Sequence, residues 1–343
     1  MNTNIAVGVK QEPKQNGLVR SVGHRLGNGK QMALAFASLI ALIAIFSALK
    51  PDSFMTTQNF IGILQATTVI GVMAIAATFV IVTSGIDLSV GVLMTFTAVM
   101  AGVFMANWGW PVFVGVPATI AVGALVGCTS GLIITKLRVA PFIATLGMMM
   151  LLKGLSLIIT GARPIYFNDV DGYESIAIGS LVGKLFPGIP LPNSVLVYLA
   201  VAVIGSILLS RTSLGRYTFA LGSNEEAVRL AGVNVARWKV IVYSLGGAIC
   251  GISGLLISSR LNSAQPALGQ GYELDAIAAV VIGGTSLAGG TGTVLGSVIG
   301  AFIMSVLING LRIMSVADEW QMVLTGVIII VAVYTDNLRH RKD

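Results

Sequence analysis

The sequence is short of charge, histidine and cysteine. Asp, Glu, Lys and Arg together make up 10% of its 343 residues, whereas soluble domains average about 25%. Hydrophobic residues make up 55%, and the mean hydropathy is +0.89. This composition excludes a soluble globular domain and is typical of a polytopic membrane protein. The net charge of +7 comes from Lys and Arg in short loops and tails, so it does not indicate nucleic-acid binding.

Side chains suited to catalysis or metal binding are also scarce. The two histidines, His24 and His340, fall in the tails, so no histidine metal cluster and no Ser–His pair is available within the membrane. The chain contains no Gly-x-x-x-x-Gly-Lys-Ser/Thr phosphate loop. Cys128 and Cys250 fall within apolar runs without metal-ligand spacing, which favours a packing role. We therefore predict that the chain is not an enzyme and holds no metal or cofactor.

Apolar runs of about 20 residues predict ten transmembrane helices. They fall near residues 31–49, 60–82, 88–106, 111–134, 142–160, 194–210, 239–258, 272–287, 291–312 and 319–335. The predicted fold is thus all-α, with one transmembrane domain at 31–337 between a basic tail at 1–30 and a short tail at 338–343. No small-residue cleavage site follows the first run, so we interpret that run as an uncleaved anchor.

Basic residues predict the orientation of these helices. They cluster in the first tail, after the fourth span, after the sixth span and at the C-terminus: Lys10, Lys14, Arg20, Arg25, Lys30, Lys136, Arg138, Arg211, Arg216, Arg229, Arg237, Lys239, Arg339, Arg341 and Lys342. An even number of spans puts all four clusters on one side of the membrane. By the positive-inside rule both termini are cytoplasmic, and the loop at 161–193 is periplasmic.

The loop at 211–239 is a polar island with a short helix inside it. In the segment 222–234, Ser223 and Glu226 have the spacing of a capping box, and Gly232 provides a left-handed stop. Glu225 and Glu226 fall in the first turn, where the helix dipole favours acids. The helix has a small apolar face, formed by Ala227, Leu230 and Ala231. A finished helix outside the lipid indicates a docking site for a soluble partner; an ordinary amphipathic loop helix is the alternative.

Two predicted spans are interrupted by Gly, Ser and Thr, at Thr83–Gly91 and Gly283–Gly292. Backbone leaves a helix within the membrane only where protein or water satisfies it, and such breaks often line a translocation path. Residues 75–84 align without gaps onto residues 277–286 with five identities. Both an internal repeat and chance similarity between Ala-rich segments account for this alignment.

Polar residues beside the interruptions are the candidates for a translocation path: Thr83, Ser84, Asp87, Ser89, Asn262, Gln265, Thr285 and Ser286. Asp87 is either a functional intramembrane acid or an N-cap of the third span assisted by Ser89, and we favour the cap. Lys153 either extends its ammonium to the interface or faces a wet path. Glu273 and Asp275 are interpreted as acids at a helix start.

Six motifs occur together in one order: Gly85–Gly91 (GIDLSVG), Pro141–Leu146 (PFIATL), Leu214–Tyr217 (LGRY), Ala220–Ala227 (ALGSNEEA), Tyr272–Ala278 (YELDAIA) and Gly283–Gly290 (GGTSLAGG). With these motifs the chain resembles the permease subunits of ribose-type monosaccharide ABC importers, from about residue 35 to about residue 337. The resemblance implies a bacterial inner-membrane complex of two permeases with ten helices each. It also implies two cytosolic ATPase subunits, which bind ATP and Mg²⁺, and a periplasmic sugar-binding protein. The segment at 222–234 corresponds to the helix that docks into the ATPase, which assigns the coupling residues Ser223, Asn224, Glu225, Glu226, Arg229 and Gly232.

Three functions are therefore considered from the sequence. The first is the permease of a ribose-like monosaccharide importer, and the second is an ABC permease for another small polar solute, such as a branched-chain amino acid. The third is a secondary transporter or channel that works alone. The docking helix and the scarcity of membrane acids for ion coupling both disfavour the third.

Overall fold

The computed structural model describes residues 17–186, 188 and 190–340. Lys10, Lys14, Arg341 and Lys342, which contribute to the predicted orientation, lie outside the described residues. The first helix begins at Gly17, so residues 17–30 of the predicted tail are helical, while the apolar span within this helix is Met32–Leu49, as predicted. Likewise, the last helix extends to His340, past the predicted end of the transmembrane domain.

Fourteen α-helices make up most of the described chain. They are α1 Gly17–Leu49, α2 Pro51–Phe54, α3 Thr57–Val82, α4 Val90–Gly102, α5 Val112–Lys136, α6 Pro141–Thr160, α7 Leu181–Leu185, α8 Asn193–Arg211, α9 Ser213–Ser223, α10 Glu225–Leu230, α11 Val235–Leu261, α12 Tyr272–Ile282, α13 Val294–Ile313 and α14 Asp318–His340. A π-helical turn at Val103–Asn107 continues α4, and a 3-10 turn covers Glu174–Ile176. Two short antiparallel strands, β1 (Ile165–Tyr166) and β2 (Ser263–Ala264), pair with each other.

Eight of the described helices are long and apolar enough to cross a membrane, including α4 with its π-helical turn. This confirms an all-α polytopic fold. The eighth predicted span is wrong as a full span, because residues 272–287 are helical only over the eleven residues of α12. The tenth predicted span is α14, which at 23 residues reaches about 34 Å but is not one of the eight.

Helix α11 forms the centre of the bundle and packs against α3, α4 and α5. Its contact with α5 is a seam of small residues, where a side chain at Gly123 or Gly127 would collide with the carbonyl oxygen of Gly247 or Tyr243. Hydrophobic burial does not drive helices together in lipid, so close van der Waals contact of glycine surfaces has to do so. Some of the many glycines in the sequence thus form a specific interface between α5 and α11.

The helix ends are sorted onto two faces, and we call the face that carries α9 and α10 the basic face. Gly131 of α5 lies against Val240 of α11, so Lys136 at the end of α5 is near the start of α11 on this face. The end of α14 is also near it, since Asp336 binds the segment after α12. Helix α1 begins on the same side, because its C-terminal part packs against the far end of α13.

Candidate functional site

The polar island folds as two consecutive helices, α9 and α10, of which the sequence predicted one. The capping box is wrong. Asn224, not Ser223, is the N-cap of α10, and its Oδ1 accepts a hydrogen bond from the Ala227 N–H at 2.9 Å. Ser223 is the last residue of α9 and donates its hydroxyl to the Phe219 carbonyl. Glu226 therefore has no cap to reach back to, because the cap lies one residue later in the sequence than the pattern suggests.

The C-terminal end of α10 confirms the left-handed stop at Gly232. Gly232 has φ +80° and donates its N–H to the Arg229 carbonyl at 3.0 Å, while the Val233 N–H binds the Val228 carbonyl at 3.3 Å. These two bonds form a Schellman motif, with Val233 and Val228 in the accompanying apolar contact. The six-residue helix is thus closed at both ends by its own residues.

The apolar face predicted for α10 points away from the protein. Val228, which the sequence analysis passed over, faces inward and packs with Leu221 and Val235 in a small core. Ala227, Leu230 and Ala231 are all exposed, and Leu230 is 82% exposed. An exposed leucine between two alanines on a well-capped helix outside the lipid is a surface suited to covering by another protein.

Ion pairs connect α10 with the rest of the basic face. Glu225 accepts from the Lys239 ammonium on α11 at 2.6 Å and from Arg229 at 3.3 Å. Glu226 is 3.4 Å from Arg229 and exposed. The Lys239 side chain is only 15% exposed, so its pair with Glu225 is better shielded from water than the pairs of Arg229. Glu225 therefore faces α11 as well as the outer edge of the helix.

The two interrupted segments meet each other beside the end of α9. The Ser84 hydroxyl is 2.7 Å from the Ala288 carbonyl and 3.1 Å from the Gly222 carbonyl. The Gly290 N–H donates to the Val82 carbonyl at 2.9 Å. We call this contact of residues 82–85, 222–223 and 288–290 the junction. It satisfies backbone groups that leave helical geometry at the ends of α3 and α12.

The junction tolerates no side chain at two of its glycines. A Cβ at Gly222 would collide with the Val82 carbonyl oxygen, and a Cβ at Gly290, which has φ +73°, would lie 2.6 Å from the Ser223 hydroxyl. The three chain segments can pack at this distance only because both positions are glycine.

Helices α3 and α12 end in the same way, but not in the register of the sequence alignment. Each ends in a Schellman motif: Ser84 and Gly85 bind the Ile81 and Val80 carbonyls, and Gly284 and Thr285 bind those of Val281 and Val280. The left-handed residues are Ser84 (φ +59°) and Gly284 (φ +94°). They lie two residues out of step with the gapless alignment of 75–84 onto 277–286. That register is therefore wrong, although the two helix ends are alike.

Asp87 does not cap α4 directly. Ser89 holds the N-cap position, and Asp87 Oδ1 accepts from the Ser89 N–H at 2.8 Å and from its hydroxyl at 2.6 Å. This local turn gives one oxygen of the carboxylate two donors, two residues before the N-cap. The Thr83 hydroxyl likewise donates locally, to the Val80 carbonyl. All three side chains are buried.

The segment after α12 is attached to the last helix by a residue that the sequence analysis missed. Asp336 of α14 accepts from the Ser286 hydroxyl at 3.0 Å and from the Leu287 N–H at 3.2 Å. An acid at the end of an apolar run was the available signal. Thr285 is 1% exposed, and its hydroxyl has no hydrogen-bond partner among the described residues.

Asn262 lies far from the junction, whereas Gln265 belongs to the segment before α12, whose Gly269 packs against Gly91 at the start of α4. Asn262 follows the C-terminus of α11, whose 27 residues separate it from the basic face by about 40 Å. Its side chain donates to Asn168 of the loop at 161–193, which we call the outer loop. Lys153 donates to the Gln270 side-chain oxygen at 2.8 Å. Glu273 is buried and accepts from the Gly271 N–H, as an acid at a helix start does.

No group of three His, Cys, Asp or Glu side chains among the described residues could hold a metal ion. Cys128 and Cys250 are both free thiols. The site is thus built from helix caps, hydroxyls and ion pairs.

Residues 59–333 match the family described as the branched-chain amino acid transport system permease component. The ribose import permease protein of Escherichia coli K12 is 45% identical over 303 residues, which cover 88% of this chain and 92% of that protein. That of Bacillus subtilis 168 is 40% identical, with 88% and 91% covered. The fructose import permease protein of Rhizobium meliloti is 34% identical, with 93% and 88% covered. No solved structure matches the chain. The chain therefore belongs to this family of transport-system permease components and is a multi-pass protein of the bacterial inner membrane.

Proposed function

We propose that this chain is the membrane permease subunit of an ATP-driven importer for a monosaccharide of the ribose class. The named relatives are import permeases for ribose and fructose, and they match the chain over its membrane-spanning part. The structural observation that carries the proposal is α10, a capped helix with an exposed apolar face that is connected to the central helix through Glu225 and Lys239.

The face formed by Ala227, Leu230 and Ala231 is the docking surface for a cytosolic ATPase in this proposal. A helix that is already formed before binding loses little conformational entropy on docking. Because the chain lacks a phosphate loop, the ATPase binds ATP and Mg²⁺ and performs hydrolysis, and this chain needs no cofactor. The basic face is then cytoplasmic, as the positive-inside rule predicts.

On the opposite face, a periplasmic sugar-binding protein delivers the solute. The outer loop at 161–193 offers it a surface that is anchored at Tyr173, which packs on Phe167 and binds Ser258 of α11 at 2.6 Å. A second permease copy completes the pore, and the hydroxyls near the interruptions line part of the path. Weak binding along that path suits a protein that has to release its solute.

A branched-chain amino acid is the alternative solute, because the family description names it. The named relatives of high identity import sugars, which favours a sugar. A zwitterionic amino acid also needs charged partners within the path. The candidate groups there are mostly hydroxyls and amides, which match the hydroxyls of a sugar.

The decisive experiment is uptake by proteoliposomes that contain the permease with its ATPase, with the binding protein added outside. We expect ATP-dependent uptake of labelled D-ribose and none of labelled L-leucine. Leu230→Asp should abolish uptake together with ATPase association, because it places a charge in the docking surface while touching little of this chain.

A matched control is Leu185→Asp, which alters a leucine of similar exposure (75%) on the opposite face. It should leave ATPase association unchanged. ATP-independent uptake, transport of leucine in place of ribose, or normal ATPase association in Leu230→Asp would each contradict the proposed function.

A further inference from the structure

A cavity of about 330 Å³ lies beneath α10 on the basic face. Its walls come from the loop after α3, the end of α5, the start of α6, the turn between α9 and α10, and the first turns of α11. Ser84, Ser223 and Asn224 of its lining are exposed, so the cavity communicates with the surface. Its size is at the lower end of the range for small-molecule pockets, which is about 300–1,000 Å³.

The lining combines hydroxyls with apolar surfaces. Ser84, Ser223 and Thr83 bring hydroxyl groups, whereas Ile134 and Pro141 bring apolar ones. Sugars present hydroxyls at their edges and C–H groups on their faces, so such a lining suits them. Lys239 and Glu225 also line the cavity and neutralise each other at 2.6 Å. The cavity therefore offers no unpaired cation from this pair for a phosphate ester.

Tyr243 gives the cavity a second, independent feature. It lines the cavity and is 2% exposed, and its hydroxyl has no hydrogen-bond partner among the described residues. That hydroxyl lies beside Gly85, another lining residue, since a Cβ on Gly85 would be 2.7 Å from it. A buried hydroxyl without a partner is unfavourable, and a polar ligand or a water molecule would relieve this.

We propose that this cavity is a cytoplasmic binding site for a neutral monosaccharide, the imported solute itself, and the proposal rests on the proposed function. The site touches three parts of the coupling machinery: α10, the start of α11 and the junction segment at residues 83–85. A sugar bound there connects these parts and opposes their relative movement. Imported sugar thus slows the next transport cycle, which is product inhibition.

The test uses the permease–ATPase complex in inverted membrane vesicles, which expose the basic face and lack the binding protein. Ser223→Cys is labelled with a membrane-impermeant maleimide in the presence and absence of D-ribose. We expect D-ribose to slow labelling by about threefold or more at saturation. Lys136→Cys, an exposed control position that neither lines the cavity nor belongs to the docking face of α10, should label at the same rate with and without ribose.

A second substitution locates the ligand. Tyr243→Phe in the Ser223→Cys protein should weaken protection by ribose about three- to tenfold, the effect of losing one hydrogen bond. Tyr198→Phe is the matched control, because its hydroxyl is also buried without a partner among the described residues but is not part of this cavity. It should leave the protection unchanged.

Several results would overturn the proposal. They are no protection by ribose even at concentrations far above those that saturate uptake, equal protection by L-leucine, stronger protection by ribose 5-phosphate, or an unchanged affinity in Tyr243→Phe. Uptake assays report separately on the proposed function. If ribose is taken up but does not protect Ser223→Cys, this site fails while the importer function stands; if no sugar is taken up, the importer function fails by itself.

Discussion

Glu225 on α10 and Lys239 on α11 form an ion pair of 2.6 Å that joins the short surface helix α10 to the central helix of the bundle. The Asn224 cap and the Schellman motif keep α10 folded, while this pair fixes its position relative to α11. Since α11 runs from the basic face to the outer loop, a movement of α10 can reach the opposite face through one continuous helix.

This pair is expected to transmit coupling. Glu225→Gln and Lys239→Met should each reduce uptake while the ATPase stays associated, because the docking face around Leu230 is unchanged. The double variant should be no worse than the more severe single one. The coupling energy between the two sites should be about 1 kcal/mol. Uptake rates with copurification of the ATPase measure this, and simple additivity of the two variants would rule out a direct role of the pair.

The position of the helix cap gives a second prediction. Asn224→Ala should destabilise α10 by about 1 kcal/mol, the usual effect of a lost cap, and should weaken ATPase association. Ser223→Ala and Glu226→Ala should have little effect, because Ser223 belongs to α9 and the carboxylate of Glu226 pairs with Arg229 at an exposed site. Protease sensitivity of the loop 224–234 follows helix stability. A larger effect at Ser223 than at Asn224 would restore the capping box.

Gly232 closes the same helix in a left-handed conformation. Gly232→Val should weaken ATPase association and lower uptake and stimulated ATP hydrolysis together, because a β-branched residue resists φ +80°. The variant should still reach the membrane, since the helix lies outside the lipid. Membrane fractionation, copurification and hydrolysis rates distinguish these outcomes, and normal transport in the variant is the contrary result.

Two substitutions of Ser84 separate the effect of its backbone strain from the effect of its hydrogen bonds. Its φ of +59° costs about 1–2 kcal/mol for a residue with a Cβ, and its hydroxyl contacts the Gly222 and Ala288 carbonyls. Ser84→Ala keeps the strain and loses the contacts, whereas Ser84→Gly loses both. We expect Ser84→Ala to lower the thermal stability of the detergent-solubilised protein more than Ser84→Gly. Equal melting temperatures in both variants and the parent would exclude a role for the junction in stability.

Asp336 is expected to hold the segment after α12 in place. Asp336→Leu should lower expression or thermal stability, because the buried Ser286 hydroxyl and the Leu287 N–H lose an acceptor. Asp336→Asn keeps a carbonyl oxygen and should be milder. If Asp336→Asn is as harmful as Asp336→Leu, the charge and not the hydrogen bonds is what the fold requires.

The orientation can be tested by labelling. Cysteines placed at Asn168 and Asn234 should react with an impermeant reagent from opposite sides of the membrane, with Asn168 accessible from outside. The native Cys128 and Cys250 lie in α5 and α11 and are replaced first. Labelling of position 234 in intact cells would reverse the predicted orientation.

The sequence by itself determined the class of the protein, most of the spans and the existence of a short closed helix in the loop 211–239. Those features depend on local quantities: apolar length against bilayer thickness, the left-handed preference of Gly232, and charge next to the spans. The tertiary structure decided that Asn224 and not Ser223 caps α10. Because α9 extends through Ser223, that residue is helical and cannot act as the N-cap of the next helix.

The tertiary structure also decided which side chains meet. Ser84 reaches Gly222 and Ala288, Asp336 reaches Ser286, and Glu225 reaches Lys239, and each of these contacts joins segments far apart in the chain except the last. Periodicity carries no information on such pairs, since they arise from how whole helices pack. The glycine seam between α5 and α11 sets that packing. The sequence shows that these helices contain glycines, but it does not show which helix each one packs against.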